Sequence, residues 1–217
     1  MANSSNTNPK RALILIDVQN EYVSGQLPIE HPPLDVSLPN IARALAAARD
    51  AGLPVVVVQQ MAPPTSPIFA EGSHGWELHE SVRDAAPDLL VQKTLPSALA
   101  DTGLGDWLRQ RGVDTLVVAG YMSQNCNEST IRQAAHEGWS VEYLHDAAGA
   151  ISYSNELGFL PARQMHEASC IVLQARFAAV MSTDAWIRLL RSGEPAPRDN
   201  LYASYLRARE RAADARA

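Results

Sequence analysis

Residues 114–139 read DTLVVAGYMSQNCNESTIRQAAHEGW. The opening DTLVVAG is an aliphatic run of the kind that forms a strand buried on both faces. Short, polar, turn-prone residues follow. From Cys126 onward the pattern is that of a helix. A buried strand running into a helix is one step of a βα alternation, and repeated alternation implies a parallel sheet with helices on both faces. The junction holds one of only two cysteines in 217 residues. The stretch therefore poses a functional question as well. Its thiol is either packed and inert or aimed at something.

The alternation extends in both directions. RALILIDVQN (11–20) is a second continuous apolar run that ends in polar residues, and it reads as the first strand. LPNIARALAAARDAG (38–52) is alanine-rich with helical spacing of leucine and isoleucine, and Gly52 closes it. LPVVVVQQ (53–60) is the second strand and DLLVQK (88–93) the third. GLGDWLRQRG (103–112) reads as a helix, SVEYLHDA (140–147) as the fifth strand, LGFLPARQMHEA (157–168) as a helix and SCIVLQA (169–175) as the sixth strand. MAPPTSPIFAEGSHGWELH (61–79) is a long loop, and loops of that length are usually functional or disordered. The expected organisation is a disordered arm over 1–10, an α/β domain over 11–194 and a helical extension over 195–217. In the extension Leu201, Tyr202, Tyr205 and Leu206 form an apolar stripe, for a packing or subunit role.

Composition narrows the function. With 46% hydrophobic residues the chain can bury a sizeable core. Its net charge of −6 gives no footprint for nucleic acid or an anionic membrane. No aliphatic run is long enough to span a bilayer. The start, MANSSNTNPK, lacks the apolar core of a signal peptide, and Cys126 and Cys170 make no disulfide framework, so a reducing cytoplasm is expected.

In open parallel sheets ligands bind beyond the carboxyl ends of the strands. Asp17 ends the first strand, Lys93 ends the third, and Cys126 follows the fourth. Taken singly, each has a plain alternative: a turn or capping aspartate, a solvated lysine, a small buried hydrophobe. Together they form a kit for acyl transfer. A thiol must become a thiolate to attack, and a helix start and a nearby ammonium both favour the anion. A carboxylate can take the proton and return it to a leaving group.

These pieces resemble the isochorismatase-like superfamily, in its cysteine hydrolases. The matching blocks are ALILIDVQNEY (12–22), VQKTLPSAL (91–99), the stretch quoted first, and DAAGA (146–150). The resemblance implies a Rossmann-like three-layer αβα fold with a six-stranded parallel sheet of order 3-2-1-4-5-6, and a triad of Asp17, Lys93 and Cys126. It also implies a cis peptide at Tyr121–Met122, which would aim the Met122 N–H, with the Cys126 N–H, at a developing oxyanion. Where the family's lysine motif usually continues to phenylalanine this chain has Leu99, read as pocket variation.

The similar zinc-containing nicotinamidases place an Asp-x-His pair after the second strand. This chain has VQQMAPP there, and His74 and His79 lie further on in a loop. No metal and no cofactor are therefore expected, and nicotinamide is not favoured as substrate. Family members that cleave vinyl ethers lack the cysteine, so Cys126 tilts the chain toward a C–N bond of a small amide or carbamate-like molecule. Vinyl-ether hydrolysis and a non-catalytic or redox-responsive protein on the same fold stand as the alternatives. Candidate substrate-binding residues are Gln19, Tyr22, Phe69, Trp76, Tyr121, Gln124 and Asn125, each with a packing alternative. The expected partners are a small-molecule substrate and further copies of the chain, as a dimer or tetramer.

Overall fold

Three aliphatic runs fill the middle of the sheet, and their alternate side chains build two separate cores. The computed structural model of the protein describes residues 8–215. In β1 (Arg11–Ile16), Ala12, Ile14 and Ile16 face one core and Leu13 and Leu15 the other. The same period of two divides Val56 and Val58 from Val55 and Val57 in β2 (Val55–Gln60), and Leu116 and Val118 from Val117 and Ala119 in β4 (Thr115–Tyr121). A strand apolar on both faces needs a cover on both, and two sets of helices supply it.

Helices α1 (Leu34–Asp50), α2 (Glu80–Arg83) and α6 (Thr183–Ser192) lie on one face, through Ile41, Ala44, Ala48, Val82 and Trp186. Helices α3 (Leu104–Gln110), α4 (Glu128–His136) and α5 (Ala162–Arg176) lie on the other, through Leu104, Leu108, Ile131, Ala134 and Leu173. Each such leucine or isoleucine contributes about 1.5–3 kcal/mol by leaving water.

The sheet is completed by β3 (Leu89–Lys93), β5 (Ser140–Gly149) and β8 (Ala179–Met181), in the order β3-β2-β1-β4-β5-β8 with every pair parallel. This is the order 3-2-1-4-5-6 expected from sequence. The numbering moves because β6 (Tyr153–Asn155) and β7 (Gly158–Leu160) form a separate antiparallel hairpin before the last strand.

Three sequence expectations need correction. The helix read over 157–168 starts only at Ala162, because Gly158–Leu160 form β7. SCIVLQA is not the sixth strand: it is the second half of α5, and the edge strand is the three-residue β8. Ile171 is 66% and Val172 46% exposed, whereas His166, Ser169 and Leu173 are buried, a helical spacing that a four-residue apolar run hides. Nor does the helix after β4 begin at Cys126. Ser123–Asn127 form a π-type turn, and α4 starts at Glu128. Gly52 does follow α1 with φ +67°, as a helix-closing residue should.

Residues 1–7 of the expected arm, and 216 and 217, lie outside the described residues. The extension forms α7 (Leu201–Asp214), which buries none of its residues; Leu201, Tyr202, Tyr205 and Leu206 are all exposed. Among the described residues no helix is long and apolar enough to cross a membrane.

The order of the strands reverses between β1 and β4, where open sheets form their ligand crevice. The two strands approach very closely there. A Cβ on Gly120, whose φ is +104°, would sit 2.1 Å from the Ile16 carbonyl oxygen, so only glycine fits.

Candidate active site

Three chain segments converge at the carboxyl ends of β1, β3 and β4. Asp17 follows β1 directly, with φ +50°, an uncommon conformation for a residue other than glycine. Lys93 is the last residue of β3. Cys126 sits in the Ser123–Asn127 turn. Lys93 Nζ lies 2.8 Å from Asp17 Oδ2 and donates to Cys126 Sγ at 3.3 Å. The side chains of Asp17 and Lys93 are fully buried, and Cys126 is 3% exposed. The structure thus brings the three predicted residues into one cluster.

Gln60, at the end of β2, completes the lysine's surroundings. Its Oε1 accepts from Lys93 Nζ at 2.6 Å, while its Nε2 donates to the Met61 and Thr94 carbonyls. Thr130 on α4 ties two segments together. Its Oγ1 donates to the Cys126 carbonyl at 2.7 Å and accepts the Ala98 N–H at 2.9 Å.

Burial sets the protonation balance. It raises Asp17 above the usual carboxylate range, against the pull of the Lys93 ammonium. It pushes the Cys126 thiol up, the Asp17 charge adds to this, and Lys93 works in the opposite direction. Burial also disfavours the Lys93 ammonium, but Asp17 and Cys126 outweigh it and hold Lys93 above its ordinary value. A helix start and a lysine lead one to expect a lowered thiol. Desolvation outweighs them and pushes the thiol up, so a neighbouring base has a part to play in forming the thiolate.

The Tyr121–Met122 peptide is cis. The Met122 carbonyl accepts from the Asn125 and Asn127 N–H groups and closes the turn around Cys126.

The candidate binding residues separate. Gln19 is removed from that role: its Nε2 donates to the Gln60 and Trp76 carbonyls and its Oε1 accepts the Gln60 N–H, so it clamps backbone. Tyr121 sits at 0% exposure, its hydroxyl 2.8 Å from Ser37 Oγ on α1, and belongs to the core. Tyr22 is buried edge-on between Phe69 and Tyr121, at ring distances of 5.2 and 5.7 Å. Burial raises its phenol, and the charges of Cys126 and Asp17 add to that. Phe69 is buried with it.

Gln124 and Asn125 are half-buried on the turn that carries Cys126. Gln124 Nε2 donates to the Ile151 carbonyl, and its Oε1 is buried without a partner, as is Nε1 of half-buried Trp76. Leu99 packs into the core on the α3 side. Exposed His74 contacts Asn20 and Ser24, while His79 caps α2 through the Ser81 N–H, so the two do not converge. Among the described residues no group of three or more His, Cys, Asp or Glu is placed to hold a metal ion.

Sequence reasoning missed Gln60, Thr130 and the partners of Ser123. Gln60 alone left a signal, as the polar end of an aliphatic strand facing the crevice.

Residues 11–185 match the model of the isochorismatase domain. A crystal structure described as a candidate isochorismatase from Burkholderia xenovorans LB400 is 56% identical, with a TM-score of 0.94 over 95% of this chain and all of that one. The ureidoacrylate amidohydrolase RutB of Variovorax paradoxus is 30% identical over 82% of this chain and 80% of its own length. A cysteine hydrolase from Pseudomonas syringae pv. phaseolicola is 26% identical, with a TM-score of 0.78 over 85% of this chain and 94% of its own.

Proposed function

The chain belongs to the isochorismatase family, and from that premise we propose that it hydrolyses a C–N bond of a small amide or carbamate-like molecule through a thioester on Cys126. The observation that carries the proposal is the placement of one ammonium between a carboxylate and a thiol, 2.8 and 3.3 Å away, in a buried cluster.

As the substrate carbonyl docks, the Cys126 S–H proton passes to Asp17 and the thiolate attacks the carbonyl carbon. The Met122 and Cys126 N–H groups meet the oxyanion; losing one such donor typically costs about a hundredfold or more in rate. Collapse breaks the C–N bond, and the departing nitrogen takes the proton from Asp17. A water then gives its proton to Asp17 and attacks the thioester. The thiolate leaves and recovers that proton. Lys93 stays an ammonium throughout and stabilises whichever neighbour is anionic.

Gln124 Oε1 and Trp76 Nε1, buried and unpartnered, are the acceptor and donor offered to the amide, with Asn125 beside Gln124 and the Tyr22–Phe69 pair as an apolar wall. The resemblance to RutB supports a small ureido or amide substrate. The exposed stripe of α7 supports self-association as part of the same reading.

The test is a panel of small amides, ureides and carbamates, scored for ammonia release by wild type and Cys126→Ala, with mass spectrometry for the acyl adduct on Cys126. Turnover that survives Cys126→Ala would sink the proposal and return vinyl-ether chemistry to first place.

A further inference from the structure

Behind the nucleophile's turn lies a second polar chain that the reaction above does not use. Ser123 opens the turn that carries Cys126, and it is fully buried. Tyr143 on β5 donates its hydroxyl to Ser123 Oγ at 3.0 Å, and Ser123 Oγ lies 2.8 Å from His166 Nδ1 on α5. On the ring's far side His166 Nε2 lies 3.6 Å from Cys170 Sγ. Because the Ser123 oxygen already accepts from Tyr143, its own proton is free to donate to a bare Nδ1. The neutral ring with its proton on Nε2 then lets every bond in the chain run one way.

Other histidines crowd this ring. His31 and His145 stand 5.7 and 6.4 Å from His166, centroid to centroid, and His166 is 4% exposed. We propose that His166 is a positioning residue for the nucleophile: as a neutral ring it fixes Ser123, and through Ser123 the turn that presents Met122 and Cys126, and its protonation releases that turn. The link to catalysis rests on the thiol mechanism; the hold on the turn does not.

The chemistry gives the direction. A protonated Nδ1 must donate to Ser123 Oγ, which turns the Ser123 proton away and breaks the one-way chain. Burial lowers His166 from 6.5 to about 4, and positive charge on His145 or His31 lowers it further, while Glu167 and the His145 backbone oppose. Cys170 also stands against the ring, and Tyr143 reaches it only through Ser123. A histidine held low in the closed state stabilises that state fully above about pH 6.5, and the contribution is lost as pH falls toward about 4. Opening of the turn should therefore rise about tenfold per pH unit across that window if the open-state ring titrates normally.

Hydrogen exchange of residues 121–127 in the full chain, normalised for intrinsic rates, tests this without a substrate. Between pH 7 and 5 wild type should lose more than about tenfold in protection. His166→Asn keeps an acceptor for Ser123 and cannot titrate, so it should lose less than about threefold. At pH 7.5 His166→Phe and Ser123→Ala should each lower protection about tenfold, with no further loss in the double variant, while His166→Asn stays near wild type. An equal pH slope in His166→Asn, or additive losses in the double variant, overturns the proposal. If exchange behaves as expected but ammonia release does not follow it, the positioning stands and the thiol mechanism is what fails.

Discussion

Among the described residues two ion pairs are deeply buried, at opposite ends of the same sheet, and they are built on different principles. At the amino ends of the strands Arg11 makes a two-pronged contact with Glu142, at 2.9–3.0 Å. Trp186 Nε1 donates to the same carboxylate at 2.9 Å, and Arg11 Nη2 also reaches the Glu194 carbonyl. At the carboxyl ends Asp17 has the Lys93 ammonium at 2.8 Å, but no well-aligned hydrogen bond satisfies either of its oxygens. One pair is saturated. The other keeps lone pairs to spare beside a thiol. A saturated buried pair has nothing left to react with and serves the fold. An unsaturated one is costly to bury and useful to chemistry.

The contrast can be broken by mutation, and the largest effect should fall on turnover at the carboxyl end. Cys126→Ser should abolish measurable hydrolysis, because an alcohol is far harder to deprotonate. Asp17→Asn should reduce kcat by about two to four powers of ten, the usual worth of a general acid–base group. Cys170→Ser, at a half-buried site on α5 against His166, should lower kcat far less than Cys126→Ser; abolished hydrolysis in this variant would misplace the nucleophile.

At the amino end the effect should be on stability instead. Glu142→Gln leaves the Arg11 charge buried and unpaired, which costs about 3–5 kcal/mol, or roughly 10 °C in Tm for a chain of this size. Turnover per folded molecule should stay within about twofold. A thermally normal Glu142→Gln variant would show that saturation is not what distinguishes the two pairs.

A subtler measurement sharpens the role of Lys93. In Lys93→Ala the sulfur loses the one charge that favours its anion. Its pH midpoint for alkylation should move upward, and the rate at about pH 8 should fall roughly tenfold for each pH unit the midpoint moves. A midpoint that stays put would deny Lys93 its electrostatic role. The smallest effect on chemistry belongs to α7. Deleting residues 197–217 should shift light scattering toward monomer with kcat little changed, and an unaltered assembly would refute the subunit role.

The two ends also differ in how far the sequence disclosed them. Asp17 and Lys93 could be picked out because each stands at the end of a strand, and Cys126 because it follows one within a turn, and the ends of parallel strands are where ligands bind. The Arg11–Glu142 pair was not legible, since nothing local links residues 131 positions apart. Gln19 shows the reverse error: a polar residue at a strand end that looked available to substrate, yet is consumed by the Gln60 and Trp76 backbone.

By itself, then, the sequence determined the βα alternation, the two-faced burial of β1, β2 and β4, and which three polar residues stand at or after the strand ends, because periodicity and strand ends are local properties of the chain. Tertiary structure decided the rest. It made SCIVLQA helical, since only its packing reveals which of its residues are buried. It pushed the thiol up rather than down, since desolvation depends on every segment that surrounds the sulfur. It also joined Tyr143, Ser123 and His166 into one chain, a contact across 43 positions between side chains whose local surroundings carry no trace of one another.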